Sequence, residues 1–287
     1  MSTTTTPTTG PVAATQPAAP AEQDRALKAK HAAMWASGDY PAVVDEVVGV
    51  LGGILVEALD VRPGQRVLDV AAGTGTSAVP AARRGAEVTA TDLTPELVEV
   101  GRARAPEDLR ITWRVADAEA LPCHDGEYDV VLSSIGVMFA PHHQRAADEL
   151  LRVCRRGGSV GVLSWTPEGF IGQLFATMKP YAPPPPPGAS PAPLWGQVDH
   201  VRELFGDRVT GVTARQQALR VERFRSGAEF RDFMKRTYGP TIAVYRFLGD
   251  DAARVAALDE EMAALGDRFL AGGVMEWEYL LVTAQRA

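Results

Sequence analysis

Residues 67–82 read VLDVAAGTGTSAVPAA. Val67, Leu68 and Val70 make a short apolar run of the kind that becomes a buried strand, and Ala78, Ala81 and Ala82 resume at helical spacing. Between them Gly73 and Gly75 flank a single Thr74. The stretch predicts a strand, a tight turn and a helix. A turn this poor in side chains lets a ligand reach backbone N–H groups, and the helix start behind it favours negative charge. The competing reading is that the glycines merely make the turn.

Outward from this stretch, short apolar runs alternate with helical patterns. They are EVTATD (87–92) before PELVEVGRARA, ITWRVAD (111–117), YDVVLSS (128–134) before HQRAADELLRVC, and GSVGVLSW (158–165). Such alternation predicts a parallel sheet with helices on both faces. On the N-terminal side, residues 22–36 carry helix formers, GDYP breaks the pattern, and Val43, Val47, Leu51 and Leu55 begin a second helical face. The expected organisation is a disordered tail over 1–20, N-terminal helices over 21–60 and an α/β core over 61–180. A proline-rich loop follows over 181–197, then the C-terminal part of the sheet over 198–287 with a helical cap over 226–270 before the last strand.

The composition narrows the function classes. The chain has 287 residues, 46% of them hydrophobic, with a formal net charge of -7 and no long basic runs, so no broad phosphate-binding surface is expected. The Thr-, Pro- and Ala-rich first twenty residues lack a basic start and an apolar centre, and no later run approaches the roughly 20 apolar residues of a membrane span. The two cysteines, Cys123 and Cys154, form neither a metal cluster nor a disulfide framework. These features lead to the expectation of a cytoplasmic enzyme acting on a small molecule, without metal, nucleic acid or membrane partners.

Ligands of open α/β sheets sit at the carboxyl ends of the strands. Asp69, Asp92 and Asp117 fall at three such ends. Together they suit a ligand with an amine, vicinal hydroxyls and a ring amino group, as in S-adenosylmethionine. A nicotinamide dinucleotide is the alternative, because Ala78 three residues after Gly75 is a tolerated variant of the G-x-G-x-x-G pattern. Asp92 also reads as part of a helix start, Asp117 as a turn residue and Asp69 as an anchor for the glycine loop.

Four phrases in order resemble the class I S-adenosylmethionine-dependent methyltransferases, particularly the ubiquinone and menaquinone C-methyltransferase group. They are PGQRVLDVAAGTG, TATDLTPELVEVGRARA, RVADAEALPCHDGEYDVVLSS and ELLRVCRRGGSVGVLSW, and the likeness covers residues 62–165. The resemblance implies a doubly wound, Rossmann-like, seven-stranded and mostly parallel sheet. It also implies cofactor contacts from Tyr40, Ala71, Gly73, Gly75, Asp92, Leu93, Asp117, Ala118 and Ser134. Methyl transfer needs a base only when the nucleophile starts protonated. His142 is then the candidate in FAPHHQ, with His143 beside it and a solvated helix start as the bland reading. The cap, through Tyr238 and Tyr245, is expected to select the acceptor while residues 40–140 hold the cofactor. A cofactor-binding protein without activity remains a further reading.

Overall fold

In the computed structural model, residues 20–287 are described. The segment expected to be a tail lies outside the described residues except for Pro20, where the first helix begins. Helix α1 (Pro20–Ala36) leads into α2 (Tyr40–Val43), a π-helical turn at Val44–Val48 and α3 (Leu51–Ala58). The GDYP break becomes a cap, since Asp39 accepts from Ala42 N at 3.2 Å and Pro41 sits in the first turn of α2.

The core then alternates as its patterning predicts: β1 (Arg66–Val70), α4 (Ala78–Arg83), β2 (Glu87–Asp92), α5 (Pro95–Arg104), β3 (Ile111–Val115), β4 (Tyr128–Ser134), α6 (His143–Val153) and β5 (Cys154–Trp165). Helices α7 (Phe170–Met178) and α8 (Val198–Phe205) bracket the proline-rich stretch, whose Trp195 is fully buried. The long β6 (Val209–Val221) is followed by α9 (Gly227–Thr237), α10 (Gly239–Leu248), α11 (Ala252–Phe269) and β7 (Met275–Arg286).

Seven strands form one sheet in the order β3-β2-β1-β4-β5-β7-β6. Strands β1 to β5 pair in parallel, and β7 runs antiparallel to both β5 and β6. This is the doubly wound, Rossmann-like, mostly parallel sheet, and its central strands are buried on both faces as such sheets require. The antiparallel strand decides where the cap sits. Because Val221 at the end of β6 pairs with Met275 at the start of β7, the chain leaves and re-enters the sheet at the edge where the parallel strands end. The three cap helices therefore pack over the carboxyl ends of the strands.

Candidate functional site

The sheet's order reverses between β1 and β4, so the loops leaving those strands part and open a crevice. The loop after β1 is held by its neighbours. Ala72 N donates to Thr91 O at 2.8 Å, and Ser133 Oγ donates to Val70 O at 2.6 Å while accepting from Val137 N at 2.9 Å. Ala71, Gly73 and Gly75 all have positive φ, at 54°, 55° and 92°. That path is easy for glycine and strained for Ala71, where the surrounding bonds enforce it.

A cavity of about 800 Å³ opens on this loop. Of the expected cofactor residues, Tyr40, Ala71, Gly73, Asp92, Leu93, Asp117, Ala118 and Ser134 all line it, although they come from five separate segments. Asp92 is the hinge of the arrangement. Its carboxylate accepts from Gly73 N and from Thr94 N, each at 2.8 Å, tying the glycine turn to the start of α5. Burial pushes its carboxyl up, and the amides of Thr94 and Gly73 pull it back.

Gly75 does not line the cavity. A Cβ there would lie 2.6 Å from the Trp113 ring, so its glycine is required by packing against β3 rather than by a ligand. Asp69 is also absent from the lining: it is 1% exposed, and Oδ2 has no partner. Burial pushes its carboxyl up to about 8, against a bond from Ala78 N and with Asp92 adding repulsion.

The N-terminal helix supplies what the strand ends do not. Lys28, His31 and Trp35 of α1 line the same cavity, outside the 40–140 span expected to hold the cofactor almost wholly. Lys28 Nζ lies 2.5 Å from Asp117 Oδ2 and 2.7 Å from Glu119 Oε2. Burial works against its charge, yet these bonds keep the ammonium pKa raised. Glu119, 8% exposed overall, also accepts from His142 N at 2.7 Å and meets His142 Nδ1 at 2.9 Å. Asp24, Glu119 and His142 could each turn one ligand atom toward a common point, but the Lys28 ammonium already supplies the cation there.

These contacts correct the reading of His142. Its ring is held by Glu119 at the start of α6, and it lies outside the cavity lining. His143 is buried against His200, with ring nitrogens 2.9 Å apart, and burial and then His200 lower its pKa to about 4. Tyr245 lies outside the lining of both cavities; its hydroxyl donates to Asp259 at 2.6 Å and Lys235 lies 4.2 Å from its ring centroid.

Tyr238 lines a second, small and buried gap that shares Trp35, Tyr40 and Ile135 with the first cavity. Trp35 joins the walls, with ring centroids 5.5 Å from Tyr40, 4.8 Å from Phe139 and 5.7 Å from Tyr238. This arrangement can hold a polar, nucleoside-like ligand across the strand ends and an apolar one beside it.

A methyltransferase-domain family model matches residues 67–158. An uncharacterised protein of Mycobacterium tuberculosis is 50% identical over 268 residues, 93% of this chain and 98% of its own. A demethylmenaquinone methyltransferase of Renibacterium salmoninarum is 41% identical over 113 residues, 39% of this chain and 46% of its own. Among solved structures, the YcgJ protein of Bacillus subtilis superposes with a TM-score of 0.55 at 18% identity, over 82% of this chain and 97% of its own. A geranyl diphosphate C-methyltransferase of Streptomyces coelicolor, in complex with S-adenosyl-L-homocysteine, does so at 0.51 and 16% identity, over 82% and 76%. With the glycine turn, the acids at the strand ends and the strand order already in place, residues 67–158 match a methyltransferase domain on the Rossmann-like fold, and the whole chain belongs to one family with the uncharacterised mycobacterial protein.

Proposed function

We propose that this protein transfers a methyl group from S-adenosylmethionine to a small-molecule acceptor. One observation carries the reading: a single cavity at the point where the strand order reverses collects Gly73, Asp92 and Asp117 from the ends of three strands. Asp92 keeps lone pairs beyond those used by the two backbone amides, and ribose hydroxyls can donate to them. Asp117 and Ala118 suit the adenine edge, Leu93 its face, and Ala71, Gly73 and Ser134 the methionine end. S-adenosylmethionine supplies an electrophilic methyl on a sulfonium sulfur. The protein's part is to align an acceptor with it and exclude water.

The negative charge and the apolar walls of the cavity favour a small molecule over nucleic acid. No described helix is long and apolar enough to cross a membrane, and Cys123 and Cys154 are both free, which supports work in a reducing cytoplasm.

Calorimetric titration with S-adenosylmethionine and separately with NADH tests the cofactor. Saturable heat with the first alone is expected, and saturation with NADH alone overturns the reading. Release of S-adenosylhomocysteine in the presence of a panel of small acceptors then separates catalysis from simple binding.

A further inference from the structure

We infer that His31 is the side chain of α1 that faces the reacting sulfur of the cofactor, and that it makes the site tell S-adenosylmethionine from spent S-adenosylhomocysteine: neutral, it admits both, and protonated, it turns away the sulfonium. The inference rests on the methyl-transfer reading for the ligand and on the placement of α1 for the residue.

The neighbours of His31 on its own helix fix where it points. Lys28, His31 and Trp35 share one stripe of α1, and all three line the first cavity. Both ends of the stripe are anchored. Lys28 Nζ is bound to Asp117 and Glu119, at the end proposed for adenine. Trp35 meets Tyr40, which covers Gly73, and Phe139 from the loop after β4. At 1.5 Å per residue these ends lie about 10 Å apart along the helix, with His31 about 4.5 Å past Lys28. His31 therefore stands over the middle of the cavity, between the adenine acid and the glycine turn. The sulfur of S-adenosylmethionine joins the nucleoside to the methionine end, so its charge belongs to that same middle.

The imidazole is half-buried, and among the described residues neither ring nitrogen has a hydrogen-bond partner. Burial holds its pKa below the ordinary value, against the pull of Glu119 and with added repulsion from Lys28. A neutral ring with a free lone pair tolerates a cation beside it, whereas an imidazolium repels one, and more strongly where ligand has displaced water. S-adenosylhomocysteine has lost the charge with the methyl group. Of the other ionisable groups around His31, Lys28 keeps its proton, Tyr40 is pushed up to about 12 and stays neutral, and Asp117 and Glu119 are held by Lys28. Asp92, whose carboxyl is raised by burial, loses negative charge as pH falls. Acid thus weakens the sulfonium ligand through both His31 and Asp92, and a substitution at His31 separates the two. The thioether then becomes the better-held ligand, and turnover stops at the exchange of product for cofactor.

The test measures S-adenosylmethionine and S-adenosylhomocysteine affinities for the full chain by calorimetry at about pH 7.5 and about pH 5, either side of the ordinary histidine pKa. The two ligands share every other titrating group, so their affinity ratio isolates the charge on sulfur. In the wild type the ratio is expected to move against S-adenosylmethionine by about tenfold or more on acidification, and in His31→Gln by no more than about threefold. His31→Lys, charged at both pH values, is expected to show the acid ratio already at about pH 7.5. A wild-type ratio indifferent to pH, or an equal change in His31→Gln, overturns the inference. So does a wild-type ratio in His31→Lys at about pH 7.5 with S-adenosylhomocysteine still bound, whatever happens in acid. If neither ligand binds the wild type at about pH 7.5, the methyl-transfer reading falls and takes the inference with it.

Discussion

At the residue scale, Asp92 performs two tasks with one carboxylate, and its removal separates them. Asp92→Ala strands Gly73 N and Thr94 N and deletes the proposed ribose acceptor. Losing a charge-assisted contact of about 1 to 3 kcal/mol is expected to weaken S-adenosylmethionine about 5- to 150-fold by calorimetry, with a fall in unfolding free energy of similar size. An unchanged affinity in a folded variant removes Asp92 from the ribose. Gly75→Ala is expected to do the opposite: the clash with Trp113 and the φ of 92° cost about 1 to 3 kcal/mol of stability, while cofactor affinity stays within about threefold. Asp69 makes the pH dependence. Its folded pKa of about 8 lies above the unfolded value, so between about pH 4 and about pH 8 the folded state holds a proton that the unfolded chain has released. Its contribution to stability therefore declines as pH rises through that window and is level above it. Urea midpoints of the wild type and Asp69→Asn, compared at about pH 5 and about pH 8, are expected to diverge in favour of the variant at the higher pH. A constant difference rejects the assignment.

At the scale of the element, α1 is a helix whose inward stripe is polar because it faces a cavity rather than a core. Asp24, Lys28, His31 and Trp35 follow at helical intervals, and three of them line the first cavity. Lys28→Met leaves Glu119 and Asp117 without their cation. About 3 kcal/mol of lost stability is expected, the low end for breaking a buried pair, because the Asp117 side chain is 26% exposed. Hydrogen exchange should quicken along α1 well before it does in β1 and β4, and uniform quickening rejects the idea that Lys28 latches this helix. The same stripe shows where sequence reading stops. Strand, turn and acid at Val67–Asp92 are local signals, as is the alternation that predicts the sheet, and these bring eight of the nine expected cofactor residues to one cavity. Gly75 is misassigned because its constraint comes from Trp113, 38 residues away in β3. A search for apolar faces passes over α1, since lysine and histidine at helical spacing read as solvated until a buried Glu119 is seen opposite. His142 fails for a related reason: proximity to the fourth strand places its backbone, whereas Glu119 decides where its ring turns.

Across the whole molecule, α1 joins the first cavity to the cap. Trp35 lies in the wall of both cavities and touches Tyr40 on one side and Tyr238 of the cap on the other. Tyr40 in turn packs over the glycine turn, since a Cβ at Gly73 would lie 3.5 Å from its ring. A ligand seated against Tyr40 and Lys28 would bear on the helix that carries Trp35. The two sites should be coupled, and coupling between binding sites is reciprocal by thermodynamic necessity. S-adenosylhomocysteine is expected to tighten an acceptor found in the panel by about fivefold or more, near 1 kcal/mol, and that acceptor to tighten S-adenosylhomocysteine by the same factor. Trp35→Ala should abolish this mutual effect even where each ligand alone still binds. Tyr245→Phe, which loses the hydroxyl's bonds to Asp259 and to Met262 Sδ within the cap, should alter stability and leave the coupling intact. Titrations of each ligand at zero and saturating levels of the other decide the matter. Equal affinities in both conditions for the wild type mean that the cavities act independently and that Trp35 is only a wall.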